Sequence, residues 1–129
     1  MRSPIEIVRE WLEADPAWVA AQFKLARGMW RDSTADASRK MAVLSMNGGR
    51  GPQSVQSYTI VSLILLGPQK SGAAGAVVIE NLALSIQTRL FTNYKACGAA
   101  QIRLIGGIIG PGYTTEDRPW IELSLEILT

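Results

Sequence analysis

The chain has 129 residues, with 13 lysines and arginines against 11 aspartates and glutamates for a net charge of +2, and 47% of its residues are hydrophobic. That is the make-up of a soluble globular protein of one domain, residues 1–129, able to bury roughly two-thirds of the surface of its unfolded chain, and too weakly basic to predict nucleic-acid binding. It has no histidine and a single cysteine, Cys97, which removes the commonest general base, the usual activator of a nucleophile, the ligands of a zinc site and any intrachain disulfide.

At the N-terminus Arg2 leads into a charged amphipathic segment rather than the apolar run of a signal peptide. Ser3-Pro4-Ile5-Glu6 reads as a helix start: the Ser3 hydroxyl accepts from the Glu6 amide, the Glu6 carboxylate reaches back to the Ser3 amide, and Pro4 occupies the first position, where its missing N–H costs nothing. Ile5, Val8 and Leu12, with Trp11 beside them, line the buried side. Asp15-Pro16 closes this helix and opens a second, in which Trp18, Val19 and Phe23 keep helical spacing and Gly28 is the stop.

Residues 28–39 show neither helical nor strand period and read as an exposed loop. Met41–Met46 is a short strand ended by Asn47-Gly48-Gly49-Arg50-Gly51-Pro52. A longer strand follows over Val55–Leu66. Its first half alternates, with Tyr58 and Ile60 opposite Ser57 and Thr59. Its second half is apolar on both faces, which predicts cover on both sides. This longest apolar run, Ile60–Leu66, is interrupted by Ser62 and too short to span a bilayer. A soluble chain made in the cytoplasm is expected.

After Gly67-Pro68 a small-residue link through Gly72 and Gly75 leads to a helix over Ala76–Lys95. Ile79, Leu82, Ala83, Ile86, Leu90 and Tyr94 mark its buried face, Glu80, Gln87 and Thr88 its wet one, and Gly98 its cap. Gln101–Ile105 is a strand, Gly106–Gly112 a glycine-rich bend, and Gly110–Asp117 a turn-rich loop. In the closing run from Arg118 to Leu128, Ile121, Leu123, Leu125 and Ile127 alternate with Glu122, Ser124 and Glu126, the pattern of a strand with one buried face. The order helix, helix, strand, strand, helix, strand, strand predicts an α+β fold: an antiparallel-rich sheet of about four strands packed against helices.

The catalytic inventory is thin. Neither glycine-rich segment has the spacing of a phosphate loop or opens a helix. Cys97 has Lys95 nearby but no histidine to activate it. Glu116-Asp117 and the Glu122/Glu126 pair suit a protected strand edge or an interface better than acid–base chemistry. Trp11 and Trp18 belong to the core, whereas Trp30 in a polar loop and Trp120 on the glutamate side of its strand are expected at the surface, a composition typical of protein–protein contacts. Catalytic residues, cofactors and metals are not expected.

Taken in order, the N-terminal helix, the strand ending in Asn47-Gly48-Gly49, the long apolar strand with Gly67, the helix Ala76–Lys95, the strand with its glycine-rich bend and the closing Tyr113-x-x-x-Asp117-x-x-Trp120 resemble the tail terminator, or tail completion, proteins of long-tailed bacteriophages over nearly the whole chain. The resemblance implies a non-enzymatic virion protein, assembled in the host cytoplasm. It would form a ring, typically of six subunits and possible as a monomer before assembly, that caps the tail tube, stops polymerisation of the tube protein and meets the head connector. No membrane and no specific nucleic acid are implied.

A ring needs two different, complementary patches on each subunit. The basic, tryptophan-bearing segment with Trp30, Arg31, Arg39, Gly48, Gly49 and Arg50 is one candidate. The acidic side of the last strand, with Glu116, Asp117, Trp120, Glu122 and Glu126, is the other, and the loop around Gly48 is a candidate to project toward the tube. The alternatives are a head–tail neck or completion protein and a small oligomeric binding module unrelated to phage tails.

Overall fold

The computed structural model describes residues 3–28, 30–46, 58–92 and 101–128. In chain order the elements are α1 (Pro4–Glu13), α2 (Pro16–Ala21), β1 (Lys24–Arg27), a 3-10 turn (Thr34–Asp36), β2 (Met41–Met46), β3 (Tyr58–Leu66), α3 (Gly72–Thr92), β4 (Gln101–Tyr113) and β5 (Pro119–Leu128). The strands form one five-stranded sheet in the order β1-β2-β3-β5-β4. β1 runs parallel to β2, and the other three pairs are antiparallel. The fold is therefore α+β as predicted, with a mixed sheet and one strand more than expected.

The added strand lies where the second helix was predicted to continue. α1 begins as read, with the Glu6 amide donating to Ser3 Oγ at 3.2 Å, and it buries Ile7, Val8, Trp11 and Leu12. The Glu6 carboxylate is held by Arg9 and Arg27. α2 ends after six residues because Gln22 turns left-handed at φ 57°, and Phe23 then stacks on the buried Trp18 ring at 5.3 Å. Beyond that reversal Lys24–Arg27 pair with Met41–Leu44 and half-bury Leu25 against the core. Backbone hydrogen bonds along the open edge of β2, together with the Trp18–Phe23 stack, outweigh the helical spacing of three apolar residues. Gly28, read as a helix stop, follows this strand.

The main core lies between one sheet face and the helices. Ala42, Leu44, Val61, Leu63, Leu65, Ile102, Ile121, Leu123, Leu125 and Ile127 meet Ile7, Val8 and Leu12 of α1 and Ile79, Ala83 and Ile86 of α3. The four predicted inward residues of β5 are all completely buried. α3 buries Ile79, Leu82, Ala83, Ile86 and Leu90 as its spacing predicted, but it starts at Gly72, so the small-residue link is its first turn. Tyr94, Lys95, Cys97 and Gly98 lie outside the described residues, as do Val55–Ser57 and the glycine-rich segment Asn47–Pro52.

β4 corrects the expected bend. Residues 106–112 remain in the strand, and the ladder to β5 absorbs them at two register shifts, between Ile105 and Ile108 and between Ile109 and Gly112. Gly106 and Gly107, at φ 72° and 89°, take the conformations that let extra residues bulge without ending the strand. The predicted turn-rich loop shrinks to a tight turn over Thr114–Asp117. It is closed by the Asp117 amide on the Thr114 carbonyl and the Thr114 amide on the Arg118 carbonyl, both at 2.9 Å.

Among the described residues the opposite sheet face has no helix layer. Its cover is a small cluster of Met41, Val43 and Leu66 with Ala26, Trp30, Ile64 and Trp120. Cover on both sides of β3 is thus supplied by helices on one face and by the segment after β1 on the other. Among the described residues no helix is long and apolar enough to cross a membrane.

Candidate functional site

The segment that covers the second face is held by one side chain. Arg118, the residue before β5, is 0% exposed. Its Nε and Nη2 donate to the two Asp32 carboxylate oxygens at 2.6 and 3.0 Å, and its Nη1 donates to the carbonyls of Arg39 at 2.7 Å and Gly67 at 3.0 Å. Nη2 also donates to the Asp36 carbonyl, and the guanidinium lies 5.4 Å from the centre of the Trp30 ring. The planar fork thus finds acceptors in every direction, the condition under which a buried guanidinium is tolerated. Its hydrogen bonds hold the Asp32 carboxyl below the usual aspartate range, against the opposing effect of burial. Residues 30–39, read from sequence as an exposed loop, are consequently strapped to the end of the sheet.

This strap forms one wall of a groove. Trp30 stands on one side and Trp120 on the other, with Val43, Ile64 and Leu66 beneath and Ser45, Thr114 and Glu122 around them, enclosing about 550 Å³. Both tryptophans, expected at the surface, are half-buried. Trp120 lies flat over Gly112, where an added Cβ would sit 2.7 Å from the indole Nε1, so the ring position requires glycine there. Glu122 is half-buried in the groove, with no cation within ion-pair distance among the described residues. Paired indoles over an aliphatic floor are the composition of a contact hot spot.

The other predicted residues fall into separate places. Arg31 and Arg39 expose their side chains, and Arg39 contributes its carbonyl to Arg118. Glu116 and Asp117 are exposed at the tip of the β4–β5 hairpin, where Glu116 accepts from the Thr115 hydroxyl and Asp117 adopts φ 64°. Glu126 is not part of an exposed glutamate ladder: it is 8% exposed and accepts from Nε of its cross-strand partner Arg103 at 2.7 Å. Gly48, Gly49 and Arg50 lie outside the described residues. The two patches read from sequence are therefore not separate surfaces throughout, since Trp30 of one and Trp120 and Glu122 of the other line the same groove.

Sequence reading missed Arg118 and Asp32. It took the first as the start of a strand and left the second within the exposed loop of residues 28–39, and their separation of 86 residues leaves no local pattern to find. Elsewhere, two smaller hollows of about 400 and 250 Å³ lie along the valley between α3 and β4. Above it α3 exposes Val77, Leu84 and Phe91, seven residues apart on one stripe. No group of three or more acidic, histidine or cysteine side chains fit to hold a metal occurs among the described residues.

Compared with known proteins, the chain matches, over residues 1–129, the family model described as phage tail termination protein. No curated protein matches it.

Proposed function

The chain belongs to the phage tail termination family, whose members are structural components of the virion tail, and from that premise we propose that it closes the tail tube as a ring of six subunits, ends tube polymerisation and presents the docking surface for the head connector. The observation that carries this reading is the Trp30–Trp120 groove on the sheet face away from the helices. Among the described residues the helices pack on one face, and the groove on the other offers an aromatic surface to a partner. On the helical layer the Val77–Leu84–Phe91 stripe offers a second, different apolar surface. Two dissimilar surfaces on one subunit are what head-to-tail association requires. Assembly would take place in the host cytoplasm, with tube protein and connector as partners, and no catalytic step is involved.

Light scattering on the purified chain, alone and with tail tubes, tests the reading. A species near six times the 14.0 kDa chain mass, formed alone or on tubes, is the expected result. A monomer or dimer indifferent to tubes would instead favour a small oligomeric binding module. A ring that binds connector but leaves tube length unchanged would favour a neck or head-completion role.

A further inference from the structure

We propose that the subunits of this ring meet by insertion of the Glu116–Asp117 hairpin tip of one copy into a basic hollow at the β1 edge of the next. The inference rests on the ring reading and names the contact that would build it. The hollow encloses about 570 Å³ and is lined by Gln22, Phe23, Lys24, Ser38, Arg39 and Lys40. Lys24 is taken up by Asp36 at 3.0 Å, and Lys40 lies 5.4 Å from the Phe23 ring. Arg39 and Lys40 have no ion-pair partner among the described residues, and the same holds for Glu116 and Asp117.

The topology places these two features for side-by-side association. The hollow is built from the residues that lead into β1 and β2, and the tip joins β4 to β5. Both therefore lie at the same end of the sheet, because Met41 is level with Leu66, and Leu66 with Trp120. At that end the hollow lies on the β1–β2 side and the tip on the β5–β4 side, with the Arg118 side chain reaching from beside the tip to the Arg39 carbonyl. Within one chain the segment around Gln69 and Lys70 separates them: the Gln69 amide donates to the Ala37 carbonyl at 2.8 Å and the Lys70 amide to the Asp117 carbonyl at 2.9 Å. A turn with two carboxylates on the β5–β4 side and a concave site with two cations free of ion pairs on the β1–β2 side are dissimilar and complementary. Repetition of such a contact by rotation closes a ring. Charge pairs at the rim set register and partner choice.

The test uses two variants of the full chain. Arg39→Glu/Lys40→Glu makes hollow and tip both negative. Glu116→Lys/Asp117→Asn makes both positive, and asparagine keeps the left-handed backbone at 117. The Arg39 carbonyl that receives Arg118 survives the first variant. Each variant alone is expected to lose the ring, with assembly at least tenfold weaker than wild type at low salt. An equimolar mixture should restore it with alternating subunits, because every junction again pairs opposite charges. Two misfolded chains would not rescue one another. Variants that assemble like wild type, or a mixture that stays monomeric, overturn the contact while leaving the ring reading standing. A wild-type chain that forms no ring, even on tubes, overturns the ring reading and the contact with it.

Discussion

Arg118 Nε lies 2.6 Å from Asp32 Oδ2, joining the residue before β5 to the strap that follows β1. The side chains are 0% and 4% exposed, so the pair is almost fully withdrawn from water. Burial makes such a pair costly to form, but it makes removal of one partner costlier, because the remaining charge has nowhere to go. The same guanidinium also satisfies carbonyls of the strap and of the β3–α3 connection. It is thus the common point through which three separate chain segments define one end of the sheet and the Trp30 wall of the groove.

Asp32→Ala should therefore destabilise the fold by about 3–5 kcal/mol, the usual consequence of stranding a buried charge. Arg39→Ala, whose carbonyl does the bonding, should stay within about 0.5 kcal/mol of wild type. Urea unfolding of the two variants checks the contrast. Equal, small losses would mean that water replaces the carboxylate at no cost.

Acid should weaken the hold of Asp32 on the strap, a response that a variant without this carboxylate lacks. Asp32 has a folded-state pKa below its ordinary value of 3.8, chiefly through the Arg118 hydrogen bonds. The unfolded chain then binds the proton more readily than the folded one. The stabilisation is complete above the unfolded value and is lost as pH falls through the folded one. Asp32→Asn should remove this part of the acid dependence, so the difference in unfolding free energy between wild type and variant should shrink from pH 6 to pH 2. A constant difference would refute the assignment.

How far the sequence alone carries depends on whether a feature is encoded locally. The inward residues of β5 and α3 repeat at the periods of their elements, so Ile121 to Ile127 and Ile79 to Leu90 were legible without any partner. β1 was not, because Lys24–Arg27 become a strand only when β2 offers an edge 17 residues further on in register, Lys24 opposite Met41. Glycine marks a bend and a bulge alike. β4 continues through Gly106 and Gly107 because ten residues of β5 lie alongside to pair with it. Trp30, Trp120 and Glu122 could be selected as residue types, but their convergence needs β2, β3 and β5 to be neighbours, and their separation along the chain hides that.

Gly112→Ala should disturb the groove more than the fold. The new methyl would meet the Trp120 ring at 2.7–2.9 Å, and the indole must swing away from its bed. Overpacking of this kind costs about 1–3 kcal/mol. Trp120→Ala would empty the same wall without that clash. Both variants should lose partner binding while keeping wild-type far-UV circular dichroism. Retention of binding by Trp120→Ala would remove the groove from the interaction surface.

Phe91 and Leu123 provide the sharpest separation of surface from core. Phe91 is 77% exposed on the α3 stripe, whereas Leu123 is fully enclosed between the sheet and the helices. Leu123→Ala removes packed methyl groups and leaves a cavity, which costs about 2–5 kcal/mol. Phe91→Ser removes a ring already in water, and the isolated chain should change by no more than about 0.5 kcal/mol. If the stripe is covered in the assembled tail, however, the same Phe91→Ser substitution exposes its effect only there, as weaker association at unchanged thermal stability of the subunit. Chemical denaturation of the monomer and light scattering of the assembly, measured on one preparation, distinguish the two roles. A Phe91→Ser chain that assembles like wild type would leave the stripe without a part in association.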